Sequence, residues 1–148
     1  MSPAARHEPA MAAREAALQM LYALELGGQD AAQIERWYVA AHPLAPAVRE
    51  RAGALIGTTV RQRERIEDLI RRYSRGWKLE RISLIDRSLL KLACAELLLE
   101  PEPAWAEAIQ ACAQLARRFS QPEAQRFLRG VLESIADELR AAPVAERI

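Results

Sequence analysis

The segment that most constrains the fold of this chain is a helix-forming stretch that is apolar on nearly every side. Between Leu89 and Leu99 only Lys91 and Glu96 carry a charge. A helix with apolar residues around its whole circumference is stable in water only when other helices surround it. We therefore expect this stretch to be the central helix of a bundle.

Signals for helix ends recur along the rest of the chain. Glycine pairs tolerate left-handed backbone and end helices, whereas Ser or Asp followed by Glu or Gln begins them. No segment shows the strict alternation of a strand. The sequence therefore predicts an all-α fold, a compact bundle of six to seven helices in a single domain of residues 11–140. The signals are Gly27-Gly28, capping boxes at Asp30 with Gln33 and Ser120 with Glu123, a cap at Ser83 with Asp86, and one long third helix from Ala47 to Tyr73.

The two ends of the chain are predicted to lie outside this domain. Residues 1–10 contain two prolines and no apolar period, so we expect a flexible N-terminal arm, and residues 141–148 form a flexible C-terminal tail. No apolar run approaches the roughly 18 residues that span a bilayer. These properties predict a soluble cytoplasmic protein.

No arrangement of residues is typical of an active site. The two histidines, His7 and His42, are isolated, and there is no glycine-rich phosphate loop or nucleophile elbow. Cys94 and Cys112 lie in apolar helical patterns, as small core residues do. The sequence predicts no catalytic activity, no metal site and no cofactor. Glu96 either is an acid with a raised pKa or, as is more usual, reaches an arginine or a helix end.

Charge is distributed unevenly along a chain whose formal net charge is only +1. Residues 61–81 contain eight basic and four acidic side chains, and residues 85–112 contain five acidic and two basic ones. A basic surface near an aromatic ring such as Phe127 suits single-stranded RNA, and an acidic surface suits a basic protein. Ordinary solvated helix surfaces would give the same pattern, and the sequence leaves both interpretations open.

Three sequence blocks, in a fixed order, carry a resemblance to a known family. They are Ala13-Arg14-Glu15-x-Ala17-Leu18-Gln19-x-Leu21-Tyr22, the region from Trp77 to Leu98 with its Trp-x-Leu-x-Arg, Ile-Asp-Arg and Leu-x-Leu-Ala-x-x-Glu-Leu motifs, and Phe127-Leu128-Arg129-Gly130-Val131-Leu132-Glu133. Together these blocks resemble the NusB family of bacterial transcription antitermination factors. The resemblance covers most of the chain.

The resemblance implies a non-catalytic, all-α protein that binds boxA-type single-stranded RNA together with NusE, a ribosomal protein of the small subunit. Such a protein promotes read-through in ribosomal RNA operons as part of an RNA polymerase antitermination complex, and homodimers occur in the family. Position by position, the resemblance also implies two sets of site residues. The RNA-binding set is Arg6, Arg14, Tyr22, Gln62, Phe127 and Arg129, and the NusE-facing set is Glu80 and Asp86.

The chain departs from the family pattern in ways that bear on RNA binding. The arginine cluster usual in the family's N-terminal arm is replaced by Arg6-His7-Glu8-Pro9-Ala10-Met11, and Arg129 replaces an Asn. Each missing phosphate contact lowers RNA affinity. The alternative is a protein-only adaptor, or a divergent relative that binds NusE or itself without RNA. Trp37, Trp105 or Leu44 would form such a protein contact, or would lie in the core.

Overall fold

The computed structural model describes residues 3–142, with side chains from residue 9 onward, and most of this range is helical. The described residues contain no strand, so the predicted all-α bundle of six to seven helices is confirmed. None of the described helices is both long and apolar enough to cross a membrane. The helices are α1 (Pro3–Leu26), α2 (Ala31–Ala41), α3 (Pro46–Arg61), α4 (Arg63–Tyr73), α5 (Leu84–Leu99), α6 (Trp105–Phe119) and α7 (Ala124–Ala141), with 3₁₀ turns at Leu79–Arg81 and Glu102–Ala104.

Helix α5 is the centre of the bundle, as its composition predicts. Every residue from Ser88 to Leu98 is buried, and the helix contacts α1, α3, α4, α6 and α7. The predicted cap at its start is confirmed, since the Ser83 hydroxyl accepts a hydrogen bond from the backbone N–H of Asp86 at 3.2 Å. Full burial of one leucine side chain contributes about 1.5–3 kcal/mol. The buried leucines of α5 therefore account for much of the core.

One of the two predicted capping boxes is confirmed and the other is wrong. Asp30 accepts a hydrogen bond from the backbone N–H of Gln33, whose side chain accepts one from the N–H of Asp30. At the start of α7 the cap residue is Glu123, with no side-chain hydrogen bond to the helix. Ser120 instead ends α6 in extended backbone, and its hydroxyl donates to the Asp86 carboxylate at 2.6 Å. The Ser120 hydroxyl is therefore bound to Asp86 and does not cap α7.

The prediction of one long third helix is wrong. The chain forms α3 and α4, which are separated at Gln62 by backbone with φ −102° and ψ 20°. Just before the break the Thr59 hydroxyl donates to the carbonyl of Leu55 at 2.7 Å. Such bonds back to the preceding turn bend helices. The break separates α3, which packs on α1, from α4, which packs on α5 and α7.

The first helix begins earlier than the sequence predicts. Helical backbone extends from Pro3 through residues 3–10, with Pro9 inside the helix, although we expected the fold to begin near Met11. Helix α7 ends at Ala141, close to the predicted limit of the domain. Residues 143–148, most of the predicted tail, lie outside the described residues. The domain limits at residues 10 and 140 stay predictions.

Candidate RNA and partner surfaces

Arg14, which the resemblance places on the RNA surface, is buried in a charge pair with Glu96. Its Nε donates to Glu96 Oε1 at 2.9 Å and its Nη2 to Oε2 at 2.6 Å. The two side chains are only 9% and 4% exposed. Although burial disfavours the charge, the hydrogen bonds to Glu96 hold the pKa of Arg14 above its ordinary value. The guanidinium therefore joins α1 to α5, and the interpretation that Glu96 reaches an arginine is confirmed.

A second buried cation, Lys91 of α5, joins three helices. The Lys91 ammonium, in a side chain 5% exposed, donates to Glu25 of α1 at 2.7 Å and to Glu67 of α4 at 3.2 Å. Glu67 also accepts from Arg63 at 3.0 Å. Burial alone would raise the pKa of Glu67, but the bonds from Arg63 and Lys91 bring it below the ordinary value. Both charged residues between Leu89 and Leu99 of the central helix are therefore neutralised inside the bundle.

Phe127 and Asp86 line one surface cleft, although the resemblance assigns them to different ligands. The cleft has a volume of about 300 Å³. Trp77, which is 58% exposed, and Arg81 line it as well. Two aromatic rings beside an arginine are able to stack bases and contact phosphate. Its lining also includes Ile82, Ser83, Gln121, Glu123 and Ala124.

The remaining predicted RNA residues are distributed over several parts of the surface. Arg129 lies two positions after Phe127 on α7 and lines a different cleft, with Trp105 and Arg140. Tyr22 is 38% exposed on α1, and Gln62 is half-buried at the α3–α4 break. The described structure therefore does not bring these side chains into one pocket. The side chain of Arg6 lies outside the described residues.

The predicted partner residues lie on either side of the start of α5. Glu80 is exposed in the 3₁₀ turn before this helix, and Asp86 is half-buried in its first turn. The Ser120 hydroxyl fixes one oxygen of Asp86, while Glu80 extends into solvent. The arrangement offers one fixed and one adaptable carboxylate to a basic partner.

Trp105 and both cysteines are buried, whereas Trp37 is exposed. Trp105 is a core residue whose indole N–H donates to the carbonyl of Glu100 at 2.9 Å, whereas Trp37 is 57% exposed. Leu44 is half-buried against the core. Burial raises the pKa of both Cys94 and Cys112 to about 12. The prediction that the two cysteines are core residues is confirmed.

Sequence reasoning missed three side chains of the Phe127 cleft and its edge. Trp77 and Arg81 were recognised as parts of a motif, but nothing in their spacing showed that they would face α7. Ser120 was interpreted as a helix cap, and its contact with Asp86 spans 34 positions of sequence. A contact between residues so far apart leaves no local signal in the sequence.

The seven α-helices of the described residues expose aromatic and charged side chains around shallow clefts, which is typical of the class of helical binding domains. The model of the NusB family matches residues 11–137. This chain belongs to the NusB family.

Curated relatives agree with this assignment. A Transcription antitermination protein NusB from Koribacter versatilis is 38% identical over 129 residues, which are 86% of this chain and 88% of the relative. A protein of the same name from Sorangium cellulosum is 35% identical and covers 85% of this chain and 90% of its own length. The similarity therefore extends over nearly the whole of each protein.

Solved structures of NusB proteins share the fold. NusB from T. maritima superposes with a TM-score of 0.79 at 29% identity, covering 93% of this chain and 94% of its own. In a crystal structure of the antitermination factors NusB and NusE in complex with dsRNA, the matching chain has a TM-score of 0.80 at 25% identity, covering 88% of this chain and 98% of its own.

Proposed function

We propose that this protein is a transcription antitermination factor that binds boxA-type single-stranded RNA together with NusE and so promotes read-through in ribosomal RNA operons. The observation that carries the proposal is the family match across residues 11–137, together with relatives named for antitermination. The protein would act in the cytoplasm, within the RNA polymerase antitermination complex, and without catalysis.

The RNA contact that we propose is centred on Phe127. The ring of Phe127 and the exposed ring of Trp77 border the same cleft, where Arg81 supplies a positive charge. Stacking of an unpaired base on an aromatic ring contributes about 1–3 kcal/mol and tolerates different bases. Tyr22, Gln62 and Arg129 are further proposed contacts, as is Arg6 of the arm. Arg14 would support RNA binding only indirectly, because its guanidinium is bound to Glu96.

The NusE contact that we propose lies beside this cleft. Asp86 borders the cleft, and Glu80 lies in the 3₁₀ turn that precedes α5. Carboxylates placed in this way suit a basic protein such as a ribosomal protein. Because Asp86 and Phe127 share a cleft, RNA and NusE would bind next to each other. We therefore expect each ligand to increase the affinity for the other.

The test is fluorescence anisotropy of a labelled boxA-type RNA that is titrated with the protein, with and without NusE, at two salt concentrations. We expect binding that strengthens by about 5- to 100-fold when NusE is present and weakens as salt is raised. A scrambled RNA of equal length is the control. Equal affinity for the two RNAs would contradict the proposed boxA preference.

A specific observation favours a second candidate, the protein-only adaptor. Arg14 is buried and therefore does not contribute to the RNA surface, and the N-terminal arm of residues 1–10 is poor in arginine. Fewer cations are then available for phosphates. No RNA binding in the same titrations, while NusE still co-elutes with the protein on a sizing column, would establish this adaptor in place of the antitermination factor.

A further inference from the structure

The outward side of α2 carries an exposed indole ring in flat surroundings. Trp37 is 57% exposed, whereas Ile34 and Tyr38 on the other side of the helix are buried. Three alanines around Trp37 leave both the ring and the backbone accessible. The exposed residues of α2 are Ala32, Gln33, Arg36, Trp37, Ala40 and Ala41.

Neighbouring rings fix this part of the surface. The imidazole of His42 stacks on Tyr38 with ring centroids 4.3 Å apart and an angle of 19° between the planes. Trp37 meets both rings edge-on, with centroids 6.4 Å away in each case. A ring held by its neighbours loses little side-chain entropy when a ligand stacks on it. We call the exposed rings of Trp37 and His42 the α2 aromatic surface, and the buried ring of Tyr38 packs against both.

The α2 aromatic surface lies near the exposed side of α1, on which α2 packs. The hydroxyl of Tyr38 donates to Gln19 Oε1 at 3.0 Å. Gln19 is exposed on α1, three residues before Tyr22, which is a proposed RNA contact. Positions three residues apart lie on the same side of a helix. Gln19 and Tyr22 therefore lie on the side of α1 that borders α2.

The charges around this surface favour a polyanion. Asp30 is occupied as the cap of α2, and Glu15 of α1 is paired with Arg118 at 2.9 Å. Glu35 lies towards α3, since a side chain at Gly53 would meet its carboxylate at 3.2 Å. Among the exposed residues of α2, whose side chains are all described, Arg36 is the one that carries a charge. Phosphate would meet no uncompensated carboxylate on this side of the helix.

We propose that Trp37 stacks on an unpaired base of the RNA, which makes the α2 aromatic surface a further RNA-binding site next to the surface of α1. This inference rests on the proposed function. A flat ring flanked by alanines and one arginine has the size and charge to accept a nucleobase and its phosphate.

The test compares two substitutions at Trp37 in the full chain with NusE bound. Trp37→Leu keeps an apolar side chain but removes the aromatic plane, and Trp37→Phe keeps a plane. We expect W37L to weaken binding of boxA-type RNA by about 5- to 100-fold and W37F to weaken it by less than about threefold. Leu99→Ala, at an exposed leucine of α5, is the matched control and should leave the affinity unchanged.

A fluorescence measurement reports the stacking directly. Trp105 is buried, so in the variant Trp77→Phe the emission that RNA can quench comes from Trp37. We expect RNA to quench this emission, and the added substitution W37F to abolish the quenching.

The outcomes separate this inference from the proposed function. If the unchanged protein with NusE fails to bind RNA, the proposed function is overturned and this inference with it. If the unchanged protein binds and W37L binds within twofold of it, the α2 site alone is overturned. A W37L variant that turns a dimer into a monomer in sedimentation, with unchanged RNA affinity, would assign the surface to a second copy of the chain.

Discussion

At the scale of single residues, the ion pair of Arg14 and Glu96 shows how a charge can be satisfied inside an apolar bundle. Both carboxylate oxygens of Glu96 accept hydrogen bonds from the same guanidinium, so the pair is bidentate. Arg51 lies 3.7 Å from the same carboxylate. Removing one partner of such a pair leaves the other charge buried without compensation.

We expect Arg14→Met to lower the free energy of unfolding by about 3–5 kcal/mol, near the lower value because Arg51 compensates in part. The measurement is urea unfolding followed by circular dichroism. The control is Arg118→Met, which breaks an exposed pair with Glu15 and should cost less than about 1 kcal/mol. Equal losses in the two variants would show that burial does not strengthen the Arg14–Glu96 pair. In a protein that remains folded, we expect R14M to change RNA affinity little.

At the scale of helices, a polar contact joins α4 to α7 at the edge of the core. Tyr73 donates its hydroxyl proton to Glu138 at 2.7 Å, and Arg72 also binds this carboxylate. Burial alone would raise the pKa of Glu138, but the bonds from Tyr73 and Arg72 hold it below the ordinary value of 4.5. The charged form of Glu138 therefore stabilises the folded state.

The pH dependence of stability follows from this lowered pKa. The contribution of Glu138 is complete above about pH 4.5 and is lost as the pH falls through the lower pKa of the folded state. We expect Glu138→Gln to reduce stability by about 1 kcal/mol at pH 7 and by less near pH 3. The test is thermal unfolding at both pH values, with Glu133→Gln on the same helix as control. A loss that grows on acidification would refute this assignment.

The helix ends show which local features the sequence could reveal. The cap of α2 at Asp30 and the cap of α5 at Ser83 depend on neighbouring residues only, and both were predictable. The break at Gln62 was not, because no proline or glycine marks it and the apolar period continues through it. The role of Ser120 was not predictable either, because its hydroxyl binds Asp86 of another helix.

At the scale of the whole molecule, ion pairs take up part of the positive charge. The net charge is only +1. The arginines that form ion pairs with carboxylates include Arg14, Arg51, Arg63, Arg71, Arg72, Arg118 and Arg140. Of the other arginines, the proposed contacts at the Phe127 cleft, on α7 and in the arm use Arg81, Arg129 and Arg6, so we expect few phosphate contacts.

We expect a shallow salt dependence for RNA binding by the protein alone. Each phosphate contact contributes about 0.7 to the slope of log affinity against log salt concentration, so four contacts or fewer give a slope no steeper than about −3. The measurement is the dissociation constant at several salt concentrations between about 50 and 200 mM. A slope steeper than about −5 would mean that arginines outside the proposed contacts also bind phosphate.

The sequence predicted the architecture better than the candidate site. The apolar run that became α5 was sufficient to indicate a bundle, because burial of such a helix admits few alternatives. The site residues that were inferred from the family resemblance were predicted less well. Arg14 proved to be buried, and Arg129 lines a different cleft from Phe127. Exposure depends on how helices pack, which motif positions alone do not specify.

The burial of both cysteines has a practical consequence for measuring distances in the complex. Because burial raises the pKa of both thiols to about 12, they stay protonated at pH 7. Maleimide dyes react with the thiolate and need access to it. A single cysteine introduced at Ala40 on α2 would therefore take up the dye alone. Energy transfer from that position to a labelled RNA end could then be recorded in the otherwise native chain.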